Sequence, residues 1–179
     1  TANLADWWAY TFWSSPIVDE TIGGALATSN PNYRFVFNPA NYSDILPADG
    51  LDDNGDDWTF TGAGVTMTPG LGYVAMGPTT GTYPQTQSIA FNGELNNGII
   101  SVPISIAGNP DTWNLIGNPY ASAIDIDKFH AANNTTVEGT IYLWNHISEP
   151  LATNSGPYGQ NFDTDDFATY NVALGTGTA

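Results

Sequence analysis

The sequence predicts an all-β fold, a β-sandwich or jelly-roll-like arrangement in two related halves, with at most one or two short helices. Three observations carry this. Its 19 Gly and 12 Pro are scattered along the whole chain, which leaves uninterrupted windows of about 5–10 residues, the length of strands and not of helices. Those windows are filled by aromatic and β-branched runs. Long helical periodicity does not alternate with the strands, so a parallel α/β layout is disfavoured.

In chain order, strands are expected at 9–13, 33–37, 57–61, 65–68, 72–75, 87–91, 98–106, 113–117, 139–144 and 167–171. One helix is expected after Ser122, where Ile124, Ile126, Phe129 and Ala132 form a short apolar face and Asp125 and Asp127 complement the positive end of the helix dipole. An internal duplication divides the chain into a first β unit, 1–108, and a second, 109–179. The string Tyr10-Thr-Phe-Trp-Ser-Ser-Pro16 has a counterpart in Thr112-Trp-Asn-Leu-Ile-Gly-Asn-Pro119, and each is followed by a polar stretch and an aromatic strand. The first unit then closes on Met67-Thr-Pro-Gly-Leu-Gly-Tyr-Val-Ala75 and the second has no such strand. The second unit is therefore expected to be incomplete, its open edge near Tyr142 or Phe167 filled by residues outside it. Thr1 in place of an initiator methionine suggests a piece of a longer polypeptide.

Charge excludes several partners. Eighteen acidic residues face only Arg34 and Lys128, a formal net charge of -16. Two cations cannot build the basic patch that displaces counterions from DNA or RNA, and an anionic membrane surface repels such a chain. Cations, neutral polysaccharide and other polypeptides remain as partners. No apolar run approaches the roughly 18 residues of a membrane helix, so membrane insertion is not expected. Cysteine is absent, which removes disulfides, thiol nucleophiles and thiolate metal sites.

The densest polar cluster runs from Asp49 to Asp57. Asp49, Asp52, Asp53, Asn54, Asp56 and Asp57 are candidate ligands for Ca²⁺, because a hard cation with 6–8 oxygen ligands relieves the repulsion of clustered carboxylates. An EF-hand is not what they spell: Asp52, Asn54 and Asp56 match its alternating positions, but Asp57 replaces the required Gly and Ala63 the bidentate Glu. A solvated acidic loop is the alternative. Asp163, Asp165 and Asp166 form a second acidic group, with Asp125 and Asp127 as its candidate neighbours in space; acidic residues are too common here for a glycosidase pair to be inferred from them. His130 and His146 have no metal-ligand spacing, and neither His-Glu-x-x-His nor Gly-x-Ser-x-Gly occurs. Among the tryptophans, Trp7 and Trp8 are the candidate ligand-binding pair. Indole rings stack on sugars, and neighbours on an extended chain point to opposite faces, which leaves one of the two exposed.

Five segments carry a resemblance: Tyr10 to Pro16, Thr68 to Tyr73, Trp113 to Tyr120, Glu138 to Trp144 and Asp165 to Asn171. Together, in this order, they resemble a segment of large secreted surface proteins of Bacteroidetes, flavobacteria above all, that typically precedes the C-terminal sorting domain read by the type IX secretion system. The resemblance spans almost the whole chain. It implies export to the cell surface or beyond, in adhesins and gliding-related proteins, and it carries no catalytic signature. The expected function is a non-catalytic extracellular module with a structural, adhesive or presenting role inside a larger parent polypeptide or surface assembly. The alternatives are a carbohydrate-binding module and, less favoured, a glycoside hydrolase-like enzyme.

Overall fold

A computed structural model describes residues 2–45, 51–106, 112–145 and 148–177. Asp49 and His146 lie outside the described residues. The fold is all-β, with antiparallel sheets and two short helices. Strands β1 (Ala2–Leu4) and β6 (Gln85–Gln87) form a two-stranded ribbon. A four-stranded sheet has the order β2-β5-β3-β4, from β2 (Tyr10–Trp13), β3 (Arg34–Phe37), β4 (Trp58–Phe60) and β5 (Tyr73–Met76). A three-stranded sheet has the order β7-β8-β9, from β7 (Thr140–Trp144), β8 (Phe167–Asn171) and β9 (Thr176–Gly177).

Alternation along β2, β3 and β5 gives the four-stranded sheet two different faces. Trp13, Val36, Tyr73 and Ala75 face a core shared with Ile22, Ala25, Leu26 and Met67. Burying a large apolar side chain of this kind contributes about 1.5–3 kcal/mol. The opposite face is aromatic: Phe12, Val74, Phe35 and Phe60 lie in register across the four strands. Central β5 is buried throughout, which is why Tyr-Val-Ala-Met reads as a continuous apolar run.

Helix α1 (Ile22–Ala25) was not expected, since Gly23 and Gly24 are poor helix formers. It stands because Thr21 caps it, accepting from the Gly24 N–H at 3.1 Å, and because Ile22 and Ala25 are buried. Gly23 is required by close approach: its N–H donates to the Ala63 carbonyl at 2.8 Å, and a Cβ there would sit 2.8 Å from that of Ala63. Arg34 lies 4% exposed beneath the sheet. Its guanidinium donates to the carbonyls of Leu26 (2.7 Å) and Ser29 (3.0 Å) and to the Ser29 hydroxyl (2.8 Å), and burial lowers its pKa. One of the two cations in the sequence is thus a structural group that fastens the chain after α1.

Helix α2 (Ile126–Asn133) lies where one was expected, capped by Asp125, which accepts from the Lys128 N–H at 3.1 Å. Ile124 precedes the cap and so is not on the helix, and no residue of α2 is buried. Three expected strands are absent as strands, and a fourth, 87–91, survives only at Gln87, the last residue of β6. The spans 65–68 and 113–117 make only isolated bridges, Thr21 to Thr66 and Leu71 to Ile116, while 98–106 makes none. Each half nonetheless repeats one order, a proline (Pro16, Pro119), a short helix (α1, α2) and an aromatic strand (β3, β7). Among the described residues, every buried hydrophobic residue of the core lies from Leu4 to Met76, while the second half buries the polar Asn161 and Asp166 and packs its large apolar side chains by partial burial. No helix among the described residues is long and apolar enough to cross a membrane.

Candidate functional site

The acidic loop is built by β3 and β4, whose antiparallel pairing brings Asn38 and Asp57 together; the Asn38 N–H donates to the Asp57 carbonyl at 2.6 Å. Inside the loop the carboxylates are turned onto backbone amides. Asp52 Oδ1 accepts from Ser43 N–H (2.8 Å), and its Oδ2 from the N–H groups of Asn54 (3.2 Å) and Gly55 (2.5 Å). Asp53 Oδ2 accepts from Ile45 N–H (2.7 Å), and Asn54 Oδ1 from Asp56 N–H (3.1 Å). These local turns are what Asp and Asn favour. Gly55 adopts φ +71°, and Pro157 and Tyr158 pack against it. The Tyr158 hydroxyl donates to the Gly55 carbonyl at 2.9 Å and so latches the second half onto the loop.

Asp57 is different. It is 6% exposed, and its Oδ1 has no hydrogen-bond partner. Burial, the charge of Asp52 and, more weakly, that of Asp56 push its carboxyl up to about 6, against partial relief from the amides of Trp58 and Asp57. Burial and the Asp57 charge in turn push the Tyr158 hydroxyl up to about 12. Among the described residues no group of three or more His, Asp or Glu is arranged to hold a metal ion. Asp52, Asp53, Asn54, Asp56 and Asp57 are brought together by the fold, yet Asp52 and Asp53 already serve the backbone.

Trp7 and Trp8 do not form a shared platform. Residues 5–8 turn, with Ala9 N–H donating to the Asp6 carbonyl at 3.1 Å. Trp7 is 61% exposed, whereas Trp8 is half-buried with its ring centroid 6.3 Å from that of Phe162. In the second acidic group, Asp166 is 1% exposed and caps the chain around it: Oδ1 accepts from Ser148 N–H (2.8 Å), and Oδ2 from the Ser148 hydroxyl (2.9 Å) and Asp163 N–H (3.0 Å). Asp125 is committed to α2 and to Lys128, and Asp127 accepts from the Tyr170 hydroxyl at 3.0 Å. Open hollows mark the surface of the described residues. One, between Thr28, Pro31, Pro78 and Gln85, has no ionisable lining residue; another, between Val18, Pro69, Leu95 and Ile100, has Glu94 alone.

The motif residues meet at a seam between the halves that sequence reasoning did not foresee. Thr68, Pro69, Gly70 and Leu71 make a turn closed by Leu71 N–H to the Thr68 carbonyl (3.1 Å), with Gly70 at φ +84° where such a turn needs glycine. Along this turn lie Leu115 to Gly117. Gly72 N–H donates to the Leu115 carbonyl (3.4 Å) and Gly117 N–H to that of Gly70 (2.9 Å). Asn96 Nδ2 ties Ser15 and Pro119 together through both carbonyls, each at 2.9 Å. Trp144 crosses from β7 to β2: its indole N–H donates to the Tyr10 carbonyl at 3.0 Å, and its ring stacks on Phe12 at 5.3 Å and meets Phe162 (4.9 Å) and Phe167 (5.0 Å) edge-on. Each such aromatic pair adds about 0.5–1.5 kcal/mol beyond its buried area.

No curated protein and no solved structure matches the chain. A family model described as a domain of unknown function, DUF8693, matches residues 2–179, and the chain belongs to that family.

Proposed function

We propose that this chain is a non-catalytic extracellular module of a type IX-exported surface protein, one that joins or presents the parts of a larger polypeptide. The observation that supports this reading is the seam. The segments that carry the resemblance spend their distinctive residues on packing and bonding within the chain: Gly72 admits Leu115, Gly117 admits Ser14 and the Leu71 carbonyl, Trp144 is bonded to Tyr10, and Asp166 is consumed as a cap. Residues selected for packing two halves together serve a scaffold. The charge agrees with it, since Arg34 is buried and the surface is left overwhelmingly acidic, as suits a displayed protein that must stay soluble.

Carbohydrate binding is the second reading, favoured by the exposure of Trp7. The purified chain separates the readings when offered chromogenic glycosides and, in pull-downs, cellulose, chitin and xylan, with Trp7→Ala as control. The scaffold reading expects neither turnover nor retention. Turnover above blank would end it, and retention abolished by Trp7→Ala would replace it with the second. Immunolabelling of intact cells before and after surface proteolysis tests the location.

A further inference from the structure

The span 99–104, Ile-Ile-Ser-Val-Pro-Ile, has the makings of a strand but lacks a partner. Burial alternates along it with the period of an extended chain: Ile99, Ser101 and Pro103 are exposed, and Ile100, Val102 and Ile104 half-buried. Ile100 and Val102 lie over Gly70, where any Cβ would collide with Val102. Both ends are tied down. Asn96 N–H donates to the Pro16 carbonyl (2.9 Å), and the Gly98 carbonyl accepts from the Tyr120 hydroxyl (2.7 Å). At the far end, Ser105 gives its N–H to Asn114 Oδ1 (3.0 Å) and its carbonyl to Asn114 Nδ2 (2.8 Å). Between these anchors no backbone group of 99–104 is hydrogen-bonded among the described residues.

The two edges of this span are unequal. In an extended chain, the N–H and carbonyl of one residue point to one edge and those of the next residue to the other. Ser105 turns its pair toward Asn114, so Ser101 and Pro103 share that inner edge, where a proline costs no donor. Ile100, Val102 and Ile104 keep intact N–H and carbonyl groups for the opposite edge. Ile100 and Ser101 line the apolar hollow of Val18, Leu95 and Pro69, with Glu94 as its one charge, and the preceding Ile99 is 97% exposed.

We propose that the edge formed by Ile100, Val102 and Ile104 accepts an extended segment of a second polypeptide as an added strand, and that this segment is apolar at alternate positions and carries Lys or Arg at its flanks. The anchored ends mean that the ordering entropy of the acceptor strand is already met, which favours such addition. Charge decides the occupant. A second copy would bring another -16 to an acidic surface, whereas a cationic segment is attracted both by Glu94 and by the molecule as a whole.

The test uses the full chain and two fluorescent peptides, Lys-Lys-Thr-Val-Thr-Val-Thr-Val-Lys-Lys and its Glu-flanked twin. The Lys peptide is expected to bind and to slow amide exchange at Ile100, Val102 and Ile104 but not at Ser101. Val102→Pro, which deletes one donor of the outer edge, is expected to weaken binding about five- to tenfold, the worth of one main-chain hydrogen bond. Ser101→Pro, on the inner edge, should leave binding within about twofold of wild type. A Lys peptide N-methylated at its alternate residues should fail on the unaltered chain, which covers the case that Val102→Pro misfolds. Equal binding of the Glu peptide, the absence of amide protection, or self-association of the chain through this edge in sedimentation would each overturn the proposal.

Discussion

Replacing Asp57 with asparagine is expected to stabilise the protein above pH 6 and to do nothing below pH 4. Asp57 is buried with an unpartnered Oδ1 beside Asp52, and its carboxyl sits at about 6, against about 3.9 in an unfolded chain. Between these values the unfolded chain has released the proton and the folded one retains it. Stability therefore falls as pH rises through the window from about 4 to about 6, and the loss is complete above it. Two pH units at about 1.4 kcal/mol each set a ceiling of about 3 kcal/mol; the loop lies at the surface, and solvent screening reduces this to about 1–2 kcal/mol. For a chain of this size that is a rise in Tm of about 3–6 °C. Melts of wild type and Asp57→Asn from pH 3 to pH 8, followed by circular dichroism, measure the difference. A variant less stable at pH 7, or a difference that does not change with pH, would refute the reasoning. Repeating the pH 7 melts with calcium and with chelator tests the cation expected of this loop: calcium held at Oδ1 would raise the wild-type Tm by stabilising the native state alone and make Asp57→Asn destabilising.

Three further outcomes follow from the seam and the second acidic group. Gly72→Ala places a methyl within 2.7 Å of Leu115 Cδ2 and should cost about 1–3 kcal/mol by overpacking, read as a lower urea midpoint with an unchanged m-value. Trp144→Phe keeps a ring on Phe12 but orphans the Tyr10 carbonyl; a loss of about 0.5–1.5 kcal/mol is expected in the same titration. Asp166→Ala strips the bonds to Ser148 and Asp163 and should cost about 2–4 kcal/mol, with amide exchange at Ser148 and Asp163 rising first.

Local chemistry was enough to reveal the fold class. Glycine and proline break the chain into strand-sized windows, and alternation within β2, β3, β7 and β8 is a property of adjacent residues, so these strands stand within a residue or so of where the sequence places them. The α2 cap is equally local, an Asp three residues ahead of the amide it accepts from. Helix α1 was hidden because its two glycines argue against a helix, and only the approach of Ala63 explains them. The spans 98–106 and 113–117 have strand composition, but whether such a span becomes a strand depends on a partner at hydrogen-bonding distance, which composition cannot specify. The site was legible in the same partial way. Sequence by itself determined an acidic loop, a chain with almost no accessible cation and one exposed tryptophan of an adjacent pair. Only the tertiary structure decided that Asp57 is buried with one carboxylate oxygen left unpartnered, that Trp8 turns in toward Phe162, and that Trp144 bonds to Tyr10 across 134 positions of chain. The reason is physical: burial and the pairing of polar groups are set by segments distant in sequence that close on one another, and no window of neighbouring residues contains both sides of such a contact.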